Sequence, residues 1–230
     1  MLTLLLAKIG AICDMKGKSP SEQNGIEALR DTDVSVLSVG ISTAGEAEMA
    51  MASMNPERHI TATTLDADGA ETIANVVASS EYVSQIEIRI QDVVDCMQHY
   101  APDSFDFVYA RLVLHYLSEQ DLMTALIGIH AILKEKGRLF IVVRSDKSPE
   151  AQQSDNEVDP ITKLTTYISM VGTKDTRYFH TPGTITSALR SAGFDITHID
   201  QYDEDLSPSF ARDDDIWVPN NVIEVLVSKK

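Results

Sequence analysis

The chain has 230 residues, 43% hydrophobic and 23% charged, with 35 acidic against 19 basic side chains and a formal net charge of −16. This composition describes one soluble, acidic, globular domain able to bury a core, and two cysteines, Cys13 and Cys96, are too few for a disulfide framework or a four-ligand zinc site. The longest like-charge runs are acidic and no apolar run nears the roughly 20 residues of a membrane helix, so we expect no direct nucleic-acid contact, no membrane span and a reducing cytoplasm.

The apolar start, Met1 to Ala7, is interrupted by Lys8 and reads as the first turns of a packed helix. A polar stretch from Lys16 to Gly25 and a short helical piece from Ile26 to Arg30 complete an N-terminal segment over 1–32. Asp33 to Val39 (DVSVLSV) is β-branched, stops at Gly40 and precedes helix formers from Ala44 to Met54. The unit recurs with Ile60 to Leu65 then Ala67 to Ala78, and with Ile86 to Ile90 then Val93 to His99. Phe105 to Ala110 is a further strand. Ser118, with Asp121 three residues on, opens a helix whose Leu122, Ala125, Leu126, Ile129, Ile132 and Leu133 fall on one face, and Lys134, Lys136 and Gly137 close it.

Arg138 to Arg144 is the next strand. Residues 145–180 break the rhythm, polar at first and then predicted helical around Ile161 to Met170. Thr181 and Pro182 open a helix that Gly193 closes. Phe194 to Asp200 and Val222 to Ser228 are the last strands, separated by an acidic loop, 203–219, holding Phe210 and Trp217. Alternating strands and helices predict one domain over 1–230. Its fold class is α/β, a doubly wound, Rossmann-like, seven-stranded and mostly parallel sheet with an antiparallel last strand, helices on both faces, and lid insertions at 145–180 and 203–219.

In such sheets ligands bind at the carboxyl ends of the strands. The first strand-to-helix turn is Gly40-Ile41-Ser42-Thr43-Ala44-Gly45. Gly40 permits a sharp turn, the small Ser42 permits backbone approach, and Gly45 permits close helix packing. Asp66 follows the second strand, 66 − 45 = 21 residues after Gly45, where a carboxylate can accept from ribose hydroxyls. Gln91-Asp92-Val93 follows the third strand, where a polar side chain can meet an adenine amino group or merely cap a helix.

The blocks VLSVGISTAG, TLDAD, IRIQDVVD, DSFDFVYARLVLHYL, ILKEKGRLFIVVR and RYFHTPGTITSALRSAGFDI together resemble a class I S-adenosylmethionine-dependent methyltransferase of the small-molecule type, over roughly residues 33 to 228. The resemblance implies S-adenosyl-L-methionine as cofactor. It carries the methionine part onto Gly40, Ser42 and Gly45, the ribose onto Asp66 and the adenine onto Asp92 and Val93. It also implies that Ala110 and Arg111 line the cofactor near its methyl group, with Leu112 and His115 close behind. The sequence departs from the family pattern at Ser38, Ser42 and Ala44, where the family has an acidic residue and two glycines.

The expected reaction moves a methyl group to a small-molecule acceptor by in-line displacement, in which positioning is the main contribution. His115 and His180 are the candidate catalytic bases, though a packing role for His115 in its apolar run and a place before the helix cap for His180 are the stronger readings. No metal site is read. Two alternatives stay open: a degenerate methyltransferase fold acting as a binding or regulatory protein, and an NAD-dependent oxidoreductase using the same turn and Asp66.

Overall fold

The computed structural model describes residues 19–169, 172–206 and 218–230. The expected helix at Met1 to Ala7, and Phe210 and Trp217, lie outside the described residues.

Seven strands form one sheet: β1 (Ser35–Val39), β2 (His59–Thr64), β3 (Ile86–Ile90), β4 (Phe105–Arg111), β5 (Leu133–Arg144), β9 (Phe194–Leu206) and β10 (Val218–Lys229), in the spatial order β3-β2-β1-β4-β5-β10-β9. The first five are parallel to one another, and β10 runs antiparallel between β5 and β9. The order reverses between β1 and β4, which opens a crevice at their carboxyl ends.

Successive residues of the central strands face opposite layers. Val36, Phe107, Tyr109, Phe140 and Val142 point into one core with Met51 and Ile73. Leu37, Val108, Ala110, Leu139 and Ile141 point into the other, with Leu126, Ile129, Ile185 and Leu189. The first core is covered by α1 (Pro20–Glu27), α2 (Glu46–Met54) and α3 (Ala67–Ala78), and the second by α4 (Cys96–His99), α5 (Glu119–Ile132) and α6 (Pro182–Ser191). Each fully buried aliphatic or aromatic side chain contributes roughly 1.5–3 kcal/mol. Helix α1 lies so close that a Cβ at Gly25 would stand 2.4 Å from the Tyr109 ring. Arg58 is buried, and its guanidinium donates to the carbonyls of Asp33, Met51 and Arg30 at 2.8, 2.6 and 2.9 Å, which satisfies backbone acceptors at the foot of β1 and the end of α2.

Three local expectations change. The first helix among the described residues begins at Pro20 rather than Ile26, because Pro20 occupies the first helical position behind Ser19. The strand expected from Arg138 starts at Leu133, whose pairing with Phe105 precedes a register shift that lets Lys136 take φ +63°. The helix expected around Ile161 to Met170 is replaced by a three-stranded antiparallel sheet of β6 (Glu157–Val158), β7 (Thr165–Ile168) and β8 (Lys174–Arg177). The run Thr165-Thr166-Tyr167-Ile168 is β-branched and aromatic, and it finds a partner strand only nine residues on.

Candidate functional site

A cavity of about 300 Å³ opens at the carboxyl ends of β1 to β4. Its floor is the turn after β1. Gly40 has φ +79°, and its backbone N–H and that of Ile41 both donate to the Thr63 carbonyl at 2.9 Å. A Cβ on Gly40 would meet Val113 at 2.8 Å, so this glycine lets the segment after β4 close against β1. Leu112, with φ +55°, turns that segment, and Leu112, Val113 and Leu117 supply an apolar wall opposite Val39 and Ile41.

The rim is acidic. Asp66 is exposed; its Oδ1 accepts from the Asp68 N–H at 3.1 Å and so caps α3. The carboxylate leans over Gly69, where a Cβ would come within 2.5 Å of Oδ2. Asp92 Oδ1 likewise accepts from the Val94 N–H at 2.9 Å. Each carboxylate thus holds its own backbone with one oxygen while lining the cavity. Thr43, Thr63, Thr64, Gln91 and Tyr116 complete the polar lining.

Of the residues singled out from sequence, Gly40, Asp66, Asp92 and Val93 line this cavity together. Ser42, Gly45, Ala110 and Arg111 do not. Ser42 accepts the Gly45 N–H on its backbone carbonyl, and Gly45, with φ +61°, packs its missing Cβ against Ile73, where a side chain would come to 2.4 Å. Ala110 is buried in the sheet. Arg111 corrects an expectation: its guanidinium turns to the face of the sheet under α1, where Nε donates to Ser21 Oγ at 2.7 Å and the two Nη groups pair with Glu22 at 3.6 Å and Glu204 at 3.5 Å. Side-chain alternation decides this, since residue 111 shares the face of Tyr109 and Phe107.

His115 and His180 are buried together under the inserted sheet and neither lines the cavity. His115 Nδ1 accepts from the Arg144 N–H at 3.3 Å, and its carbonyl accepts from the Tyr178 N–H at 2.7 Å. Neither ring nitrogen of His180 has a partner among the described residues. Burial holds His115 well below its ordinary pKa, helped by Arg177 and Arg144, and pushes His180 down to about 3. Both are neutral packing groups that knit the insertion to β5, so the expected base role has no geometry behind it. The polar group that does reach the cavity from this side is Tyr116, whose Oη accepts from Arg177 at 2.8 Å. Sequence reasoning passed over Tyr116, although its place directly after His115 in the block LVLHYL carried the signal.

The missing carboxylate at residue 38 has a local answer. Ser38 is buried and donates to Glu48 Oε1 at 2.5 Å, so α2 brings a carboxylate to the end of β1. Neither Ser42 nor Ala44 puts its Cβ into the cavity wall, so these replacements do not fill it. Among the described residues no group of three His, Cys, Asp or Glu side chains is placed to hold a metal, and no helix is long and apolar enough to cross a membrane.

Residues 37–141 match a family model described as a methyltransferase domain. No curated protein matches the chain. Among solved structures, the chain is similar in fold to an S-adenosylmethionine-dependent methyltransferase from Methanosarcina mazei, with 14% identity over 91% of this chain and 97% of that one and a TM-score of 0.65. A second, described as an S-adenosylmethionine-dependent methyltransferase from Listeria monocytogenes, has 16% identity over 91% and 97%, with a TM-score of 0.64. The [4+2]-cyclase SpnF shares the fold at 17% identity over 90% and 79%, with a TM-score of 0.64.

Proposed function

We propose that this chain, whose residues 37–141 match a methyltransferase-domain model, is a class I enzyme that binds S-adenosylmethionine and transfers its methyl group to a small organic acceptor. The single observation that carries this reading is the cavity itself, in which Gly40, Asp66, Asp92 and Val93 meet at the point where strand order reverses. The second half of the sheet supplies the antiparallel β9–β10 pair instead of a second mononucleotide-binding half, which speaks against a dinucleotide ligand.

The residues present fit the cofactor. Asp66 keeps Oδ2 over a position where only glycine leaves it room, and that oxygen can accept from ribose hydroxyls. Asp92 has a second oxygen to accept from an exocyclic amine, and the walls at Val39, Ile41, Leu65 and Leu112 suit an aromatic base. Bound there, the sulfonium supplies an electrophilic methyl carbon. This chain's residues contribute orientation and exclusion of water: Leu112, Val113 and Leu117 close one side, and Tyr116, whose hydroxyl is held by Arg177, adds a polar side chain to the lining. A histidine base plays no part in this reading.

Calorimetric titration of the full chain with S-adenosylmethionine and S-adenosylhomocysteine tests it. Saturable binding of both at micromolar to sub-millimolar concentration is expected. Absence of binding at millimolar concentration would overturn the reading and leave a degenerate fold with a binding role, for which SpnF shows that the fold is not tied to one chemistry by name.

A further inference from the structure

β3 stands at one edge of the seven-stranded sheet, and among the described residues β2 is the strand that pairs with it. Its bonding direction is set at its two ends. The Gln85 carbonyl accepts from the Ile60 N–H at 2.7 Å, and the Gln91 N–H donates to the Thr64 carbonyl at 3.1 Å. Odd-numbered residues therefore turn their main-chain groups to β2, and Ile86, Ile88 and Ile90 turn theirs outward. Of that outer row, the Ile86 N–H is used among the described residues, on the Tyr82 carbonyl at 3.1 Å; the N–H and C=O groups of Ile88 and Ile90 have no partner there.

The side chains of this strand read as a charge-inverted palindrome, Ile-Glu-Ile-Arg-Ile, about Ile88. Glu87 and Arg89 share one face and pair with each other at 2.9 Å, so the strip is locally neutral. Two chains of net charge −16 repel, and an interface between them needs such a strip. The other edge strand, β9, offers none: it carries Asp195, Asp200, Asp203, Glu204 and Asp205 without a Lys or Arg, so a copy laid on it meets like charge.

We propose that β3 is the contact of a homodimer, in which a second copy of this chain lays its own β3 antiparallel on the first about a two-fold axis at Ile88. In that register Ile88 and Ile88 of the second copy exchange N–H···O bonds, and each Ile90 N–H reaches the Ile86 carbonyl across the axis. Glu87 of each chain then faces Arg89 of the other. A slip of two residues sets Glu87 against Glu87 or Arg89 against Arg89, so charge selects the register. Ile90, 58% exposed, gains a cross-strand apolar neighbour. The seven strands of each chain become one continuous sheet, within the range of large α/β enzymes, and the two cavities open at opposite ends of it. This inference does not depend on what the cavity binds.

Sedimentation velocity on the full chain tests it, with wild type, Arg89→Glu, Glu87→Arg and the double swap Glu87→Arg/Arg89→Glu. So short a pairing gives a small interface, and wild type is expected as a reversible dimer with a dissociation constant of about 1 to 100 μM. Either single reversal sets like charges against each other at both facing positions and should weaken the dimer at least about 10-fold. The double swap restores opposite charges and should restore the dimer. An equimolar mixture of the two single variants should form a heterodimer, more readily than either variant pairs with itself. Wild type that stays monomeric at about 100 μM overturns the inference, whatever covers the strand in its place. So does a dimer that the single reversals leave unchanged, or one that neither the folded double swap nor the mixture restores. Arg89 also lies 5.6 Å from the centre of the Tyr100 ring. If its reversal prevents folding, Ile88→Pro decides: the N–H at 88 faces away from β2, so proline keeps the sheet's own bonds and removes the central donor. Association of that variant at wild-type strength overturns the inference.

Discussion

Asp66 caps α3 with one oxygen and leaves the other at the cavity, over Gly69. Oδ1 caps α3 on the Asp68 N–H, and Oδ2 stands where a Cβ on residue 69 would come to 2.5 Å. Gly69→Ala therefore has opposed effects. Alanine inside a helix is favoured over glycine by about 0.5–1 kcal/mol, while the displaced carboxylate loses its aim. We expect a melting temperature within a few degrees of wild type together with clearly weaker binding of S-adenosylhomocysteine; binding equal to wild type would mean that Asp66 does not meet the ligand. Asp66→Ala should cost about 1–3 kcal/mol of binding by calorimetry, the range for hydrogen bonds to a charged group. The place of Asp66 and Asp92 at the cavity was legible from sequence, because an acidic residue just past a strand end falls at a carboxyl edge whatever the register. Arg111 was not. Its position at the end of β4 is readable, but which face its side chain takes depends on the pleat, and its partners Glu22 and Glu204 lie 89 and 93 residues away, by 111 − 22 and 204 − 111.

Elements whose ends carry their own chemistry were the readable ones. Ser118 caps α5 on the Asp121 N–H, and Thr181 opens α6 with a reciprocal box in which its hydroxyl accepts from the Thr184 N–H at 3.0 Å and Thr184 Oγ1 accepts from the Thr181 N–H at 2.9 Å. Thr181→Ala should destabilise the protein by about 1 kcal/mol in urea denaturation, and Thr181→Ser should restore most of it; equal stability of all three would mean that Pro182 alone sets the helix start. The insertion was misread for the opposite reason. Strands of two to four residues present too few periods to separate alternation from helical spacing, and what makes them strands is a partner elsewhere in the chain. Its docking on β5 is non-local: the His180 N–H donates to the Arg144 carbonyl at 3.0 Å, across 180 − 144 = 36 residues.

For the molecule as a whole, a mostly parallel, doubly wound sheet followed from alternating elements while its strand order is visible only in the structure, and the net charge of −16 acquires a partial address at the cavity rim. Charge also governs how the whole structure responds to acid, through the two histidines buried under the insertion. Because the folded protein holds His115 and His180 with lowered pKa values, it binds fewer protons than the unfolded chain once pH falls below the unfolded value near 6.5. The stability associated with their neutral forms is complete above that value. It is lost progressively as pH falls towards the folded pKa, about 3 for His180. At pH 5, above the range where most carboxylates titrate, His180 alone should remove about 2 kcal/mol relative to neutral pH, at about 1.4 kcal/mol per pH unit. His180→Phe fills a similar volume and removes two nitrogens that have no partners among the described residues, so at pH 7 it should be neutral or stabilising. Urea unfolding of both proteins at pH 7 and pH 5 separates this from general charge effects. Acidification also reduces the negative net charge and its self-repulsion, but that contribution is common to both and cancels in the difference. The variant should therefore lose about 2 kcal/mol less than wild type between the two pH values. Equal losses would mean that His180 is protonated in the folded state and that the insertion is not held on a neutral ring.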